Sequence, residues 1–251
     1  MDLNFSEAEI QRYSRHILLR ELGGTGQAKL KAAKVLIIGA GGLGSPLALY
    51  LAAAGVGCIG LVDADTVELS NLQRQVAHDT TQIGRLKVSS ATESLARLNP
   101  LTKVIPYAER LDQQNVARLL ADYDLVCDGT DNFGSRFLIA DSCVTARKTL
   151  VSAAVLRFEG QISTFKPHIG GPCYRCLYPA PPPDGLVPPC SEAGVLGAVT
   201  GVMGTLQATE TIKEITGIGT SLSGFLLVWD ALNAEFRKIR LRKDPECPVC
   251  G

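Results

Sequence analysis

The chain has 251 residues, 46% hydrophobic and 20% charged, and its 25 Lys+Arg balance 25 Asp+Glu. Zero formal charge excludes a general nucleic-acid surface, which shows as a basic excess, and with no low-complexity tract or like-charge tail, extensive disorder is excluded too. A chain of this length buries a full core without disulfide staples.

Ser6 to Arg20 reads as a helix, with Ser6 as cap, Glu9 three residues on, and Ile10, Tyr13 and Ile17 as an apolar stripe. This start has no apolar run of the signal-peptide kind, so a cytoplasmic protein is expected. From Val35 to Val62 there is no charge, which would suit a membrane span. Yet Gly39, Gly41, Gly42, Gly44, Pro46, Gly55, Gly57 and Gly60 break the run into a buried strand, a helix and a second buried strand. No membrane partner is expected.

The strands fall at Lys34 to Ala40, Cys58 to Asp63, Lys103 to Tyr107, Asp124 to Asp128 and Thr149 to Val155. Helices are predicted at Leu43 to Ala54, Gly84 to Leu98 (stopped by Asn99-Pro100), Gln113 to Leu120 and Phe133 to Ala146. Such alternation predicts an α/β fold: a Rossmann-like, doubly wound, mainly parallel sheet with helices on both faces. After Ala154 the pattern changes. Gly160 to Lys166 reads as a strand, Pro167 to Pro189 as a Pro/Gly-rich loop, and Ala193 to Thr216 as a long helix. Gly194, Gly197, Gly201 and Gly204 share one face of that helix, a core contact or a dimer seam. Gly224 to Trp229 and Ala234 to Leu241 extend the sheet with antiparallel strands. The chain reads as one unit: a helical arm over 1–33, a nucleotide-binding core over 34–155, and a partner-binding and metal-binding half over 156–251.

Four of the eight cysteines form Cys173-Tyr-Arg-Cys176 and Cys247-Pro-Val-Cys250. Two such pairs present four thiolates to a structural zinc; redox pairs or free thiols are the alternative. Cys58, Cys127 and Cys143 lie in apolar patterns and read as packing residues, as does Trp229. His16, His78 and His168 show no ligand spacing.

Gly39-Ala40-Gly41-Gly42-Leu43-Gly44 matches GxGxxG between a strand and a helix, a backbone cradle for phosphates. Asp63 ends the next strand, where an acid binds ribose hydroxyls, and the pattern at this point suits NAD, FAD or ATP. Asp65, Ser70, Asn71, Arg74 and Lys87 follow, and the two cations favour a triphosphate. Gly129-Thr130-Asp131-Asn132 lies past another strand end, with Asp131 an exposed acid suited to Mg²⁺ beside phosphates.

Together RYSRHILL, GAGGLGSP, DADTVELSNLQRQ, GRLKV, DGTDNFGSR, the two Cys pairs and GVMGTLQATETIK resemble the MoeB/ThiF group of ubiquitin-activating-type enzymes. The resemblance covers nearly the whole chain and is closest to its molybdopterin-synthase adenylyltransferase branch. It implies ATP-dependent adenylation of the C-terminal glycine of a small ubiquitin-like sulfur carrier ending in Gly-Gly, with release of pyrophosphate. It implies an ATP site at Gly42, Asp63, Asn71, Arg74, Lys87, Asp131 and Asn132: Asp63 on the ribose, Arg74 and Lys87 on phosphates, Asp131 on magnesium. It also implies a homodimer in which Arg15 enters the partner's site. A carrier of the thiamine or tRNA-thiolation type would need nearly the same residues. The sulfur donor is expected to be a separate protein. Cys190 matches a position where eukaryotic relatives carry a cysteine of thioester or persulfide chemistry; a non-essential thiol is the other reading. Residues Pro181 to Pro189 are the candidate cover over the carrier's tail. A nicotinamide-dependent oxidoreductase and a non-catalytic carrier-binding scaffold are the readings from other classes.

Overall fold

Strands form where the β-branched and leucine runs stand, and each is cut by a glycine or a polar pair. A computed structural model describes residues 4–183, 185–186, 188 and 190–251, apart from the side chains of Cys190 and Ser191. Strands β1 (Lys34–Ile38), β2 (Cys58–Val62), β3 (Lys103–Tyr107), β4 (Leu125–Asp128) and β5 (Thr149–Leu156) run parallel. Strands β6 (Glu159–Phe165), β7 (Phe225–Asp230) and β8 (Glu235–Arg240) continue antiparallel. All eight make one sheet of order β3-β2-β1-β4-β5-β6-β7-β8.

The helices are α1 (Glu7–Arg12), α2 (Ser14–Ile17), α3 (Gly23–Ala32), α4 (Gly44–Ala53), α5 (Lys87–Leu98), α6 (Val116–Ala121), α7 (Phe133–Thr145), α8 (Tyr174–Leu177), α9 (Cys190–Ala193) and α10 (Gly197–Thr216). Alternate side chains of β1 serve opposite faces, as strand geometry requires. Val35 and Ile37 meet Leu47, Leu51, Leu95 and Met203 of α4, α5 and α10, while Leu36 and Ile38 meet Leu119, Leu120 and Ile139 of α6 and α7. Each fully buried leucine among them contributes about 1.5–3 kcal/mol of transfer free energy.

Where the structure departs from the sequence reading, local contacts explain it. The opening helix breaks at Tyr13, whose backbone leaves the helical region and whose buried hydroxyl accepts a hydrogen bond from Asn99 Nδ2 (2.8 Å). Helix α3 was not anticipated, because its Gly-Gly-Thr-Gly start hides the helical signal. Helix α5 starts at Lys87, later than expected, since residues 84–86 pair with 66–67 instead. The stretch read as loop after Pro167 holds α8. Gly194 has φ +75° and stands outside α10, leaving three glycines on that helix. Gly204 there lies against α4, where a Cβ would come within 2.5 Å of the Leu43 carbonyl oxygen, while Gly201 faces open space. Trp229 is half-buried and stacks on Phe236 at 5.5 Å rather than sitting in the core. Cys127 and Cys143 are buried; Cys58 is only partly so. No helix among the described residues is long and apolar enough to cross a membrane.

Candidate active site

The sheet order reverses between β1 and β4, and a crevice opens at their carboxyl ends, where open α/β sheets hold ligands. Gly39 turns the chain there at φ +96°, close enough to the neighbouring strand end that a Cβ would lie 2.8 Å from Gly129 O. Gly44 opens α4 so tightly against Gly39 O that a Cβ would overlap it at 1.8 Å. Small residues are therefore obligatory where the loop folds over the start of the helix.

Asp63 fixes this loop from β2. One carboxylate oxygen accepts from Ala40 N and the other from Asp65 N, both at 2.8 Å. His78 clamps the other side of the same residue. Its Nε2 lies 3.0 Å from Ala40 O, a pure acceptor, so that nitrogen carries the proton; Nδ1 lies 2.7 Å from Ser90 Oγ. Burial pushes the imidazole below its usual pKa, partly opposed by the Ala40 bond. Sequence reasoning assigned His78 nothing, because a single histidine has no spacing signal.

A cleft of about 360 Å³, within the range of small-molecule sites, is lined by Gly39, Gly41, Gly42, Asp63, Asp65, Arg74, Lys87, Asp131 and Asn132. Nine of the expected nucleotide residues thus converge. Lys87 is nearly buried, and its Nζ pairs with Asp65 at 3.0 Å. Arg74 donates to Ser70 O at 3.1 Å. Asp131 is exposed and makes no side-chain bond to the described residues, while Asn132 caps α7 by accepting from Ser135 N at 2.9 Å. Gly44 supports the loop from behind. Ser70 and Asn71 stand back from the lining: Asn71 is buried and accepts from Glu68 N, shaping the turn that carries Arg74. Arg15 is exposed on α2 and makes no side-chain bond to the described residues. The side chain of Cys190, and residues Asp184, Val187 and Pro189 of the expected cover, lie outside the described residues.

Three further cleft residues were missed. Arg110 approaches Asp65 (4.0 Å), Thr200 reaches the glycine loop from α10, and Arg136 stands on α7, donating to Thr130 O at 2.9 Å. Arg136 lies inside the quoted DGTDNFGSR motif, and its place in the first turn of a helix after a strand end was a usable signal. A second cavity of about 460 Å³ adjoins the cleft, sharing Asp131, Asn132, Arg136 and Val155, and runs past Gly160, Tyr178, Pro188 and Val228.

On the far side, the sulfurs of Cys173, Cys176, Cys247 and Cys250 all lie within 4.8 Å of one another. Cys173–Cys247 and Cys176–Cys250 are both 3.5 Å apart, and Cys173–Cys176 is 3.9 Å apart. Tetrahedral zinc with bonds of about 2.3 Å needs sulfurs about 3.8 Å apart, so the set fits. Asp244 N donates to Cys176 Sγ. Arg175 ties the knuckle to α7 through Asp141 (2.8 Å) and the Phe137 ring. All four ligand positions being protein sulfur, a metal here would have no open position for substrate.

Known proteins agree with this architecture. Residues 13–249 match the ThiF family. The chain is 53% identical over 98% of its length to bovine "Adenylyltransferase and sulfurtransferase MOCS3", of which it covers 54%. It is 47% identical to the Thermus thermophilus "Sulfur carrier protein adenylyltransferase" over 99% of this chain and 93% of that one. The chain thus spans about half the length of the MOCS3 proteins but nearly all of the Thermus relative. Among solved structures, E. coli MccB with AMPCPP and MccA superposes with a TM-score of 0.85 at 25% identity, covering 96% of this chain and 74% of that one. With the family match running through the glycine cleft and three of the four clustered cysteines, the chain belongs to the ThiF family.

Proposed function

We propose that this protein adenylates the C-terminal glycine of a small ubiquitin-like sulfur-carrier protein, of the molybdopterin-synthase small-subunit (MoaD) type, in molybdenum cofactor biosynthesis. The observation carrying this reading is the convergence of a glycine loop, Asp63, Arg74, Lys87 and Asp131 on one cleft that opens into a second, largely apolar cavity. A nucleotide fits the first, and an extended peptide tail the second. The Thermus relative, nearly all of which the chain covers, is named a sulfur carrier protein adenylyltransferase.

The chemistry follows from charge. A glycine carboxylate is already ionised at neutral pH and needs no base to attack the α-phosphorus; pyrophosphate leaves. The protein must align two anions and offset the charge that grows on the phosphoryl oxygens. Lys87 is placed to leave Asp65 for the phosphates, and Arg74 to join it. Asp63 is placed for the ribose, within reach of the loop it already orients. Asp131, exposed in the cleft without a partner, would hold Mg²⁺, which neutralises phosphate charge. Zinc on the four cysteines would be structural.

In this reading Arg15 completes the site of a second copy in a homodimer, which its lack of a partner among the described residues supports. A separate protein supplies sulfur to the adenylated carrier, and Pro188, at the mouth of the second cavity, belongs to the cover over its tail. Cys190 would serve in that later step; Cys190→Ala should then keep adenylation and lose sulfur transfer, whereas full pathway complementation by the variant removes the role.

ATP–pyrophosphate exchange with purified carriers ending in Gly-Gly tests the reading. Exchange that depends on the molybdopterin-type carrier supports it. Exchange only with a thiamine-type or tRNA-thiolation carrier keeps the reaction and moves the pathway. Exchange with none, alongside tight NAD binding, overturns it.

A further inference from the structure

Arg136 is buried, 8% exposed, yet poorly satisfied. Its Nη2 donates to Thr130 O, its Nε has no partner, and no carboxylate among the described residues forms an ion pair with it. None of the groups facing it forms an ion pair with it among the described residues. The Phe133 ring lies 5.8 Å away and the Tyr174 hydroxyl faces it from α8. Asp128, the buried acid nearby on β4, already has both oxygens occupied, by Thr130 and by Ser152. A guanidinium cannot shed its charge by deprotonation, and this one stands in the first turn of α7, where the helix dipole is itself positive. A buried cation so placed keeps unused donors for an anion from outside the chain.

Position identifies which anion. Arg136 is the one cation among the residues lining both the cleft and the adjoining cavity. The cleft has Arg74, Lys87 and Arg110 for phosphates, whereas the adjoining cavity has no other cation among the described residues and carries the acids Asp131 and Glu159. A negative end group arriving through that cavity meets Arg136 as its one described cation. We infer that Arg136 receives the terminal carboxylate of the peptide tail and holds it against the nucleotide's innermost phosphate. This rests on the adenylation reading above and adds the residue that selects a free acid. One carboxylate oxygen then bonds to the α-phosphorus as the bond to the pyrophosphate oxygen breaks, and no proton moves. The planar fork suits a carboxylate bidentately, which a lysine cannot reproduce.

The test compares a molybdopterin-type carrier ending in Gly-Gly as free acid with the same carrier bearing a C-terminal carboxamide, titrated onto the enzyme with AMPCPP present. Wild type should prefer the acid at least about tenfold, the order expected for a charge-assisted hydrogen bond. Arg136→Gln should bind both forms alike and weakly, and Arg136→Lys should show a reduced preference. An acid preference in Arg136→Gln equal to wild type, or none in wild type, overturns the inference. Should the glutamine variant fail to fold, Arg136→Lys decides alone: a full wild-type preference in it overturns the assignment. Wild-type exchange with the free-acid carrier is run beside this. If exchange is present and the preference survives substitution, Arg136 is wrong and adenylation stands; if no carrier supports exchange, the adenylation reading itself falls.

Discussion

The parallel half of the sheet and its antiparallel extension are built on different physical terms. Strands β1, β2 and β4 are covered on both faces, and most of their side chains have no solvent exposure. Strand β8 is exposed along its whole length and pairs with β7, where Phe236 stacks on Trp229 and Lys238 lies over the Phe225 ring. The first half is held by burial and supports a precise loop; the second is thin and is pinned at its end by the cysteine cluster. The glycine cleft stands on the buried half, while one wall of the adjoining cavity stands on the half that the four cysteines tie down.

Removing that fastening should have the largest effect. Cys176→Ser or chelation should destabilise the protein by on the order of 5 kcal/mol, less than zinc gives to isolated finger peptides. Hydrogen exchange should rise in residues 225–251 while 34–38 stay protected, and metal analysis should fall from one zinc per chain to none. Equal loss of protection in both halves would erase the contrast. Next in size, Arg74→Ala and Lys87→Ala should each lower carrier-dependent exchange about a hundredfold, near 3 kcal/mol by analogy with oxyanion donors. Melting should shift little, because Arg74 makes one hydrogen bond to Ser70 O and the partner left by Lys87, Asp65, is exposed.

A matched pair on α10 sharpens the packing side of the comparison. Gly204→Ala drives a methyl into the Leu43 carbonyl and should cost about 1–3 kcal/mol. Gly201→Ala, facing open space, should be neutral or stabilise by up to about 1 kcal/mol through helix propensity. Denaturant midpoints separate the two. The smallest effect concerns pH. Burial holds the folded His78 pKa below that of the unfolded chain, so on acidification below about 6.5 the unfolded state takes up the proton first and stability falls. Between pH 7.5 and 5.5 the loss should not exceed about 1.4 kcal/mol, one pK unit, and His78→Gln should flatten it.

The sequence made the parallel half legible because its code is local. A buried strand, a glycine turn and a helix follow one another between Lys34 and Ala53, and β3 was expected at its observed bounds. Paired cysteines were legible for the same reason, with ligand spacing written into each short run. What escaped depends on contacts distant in sequence. Tyr13 breaks the first helix by reaching Asn99, and His78 matters only because the fold carries Ala40 onto it. Arg136 reads as an ordinary helix arginine until the two cavities on either side are seen. Asn71 also shapes the turn that carries Arg74, a role its own short run does not announce.

The most direct check on the central claim is a crystal structure with ATP and magnesium bound. The nucleotide should lie over Gly39–Gly44 with its ribose at Asp63, and Lys87 Nζ should have left Asp65 for a phosphate oxygen. A nucleotide bound elsewhere, or Lys87 still paired with Asp65 beside an occupied cleft, would contradict the account.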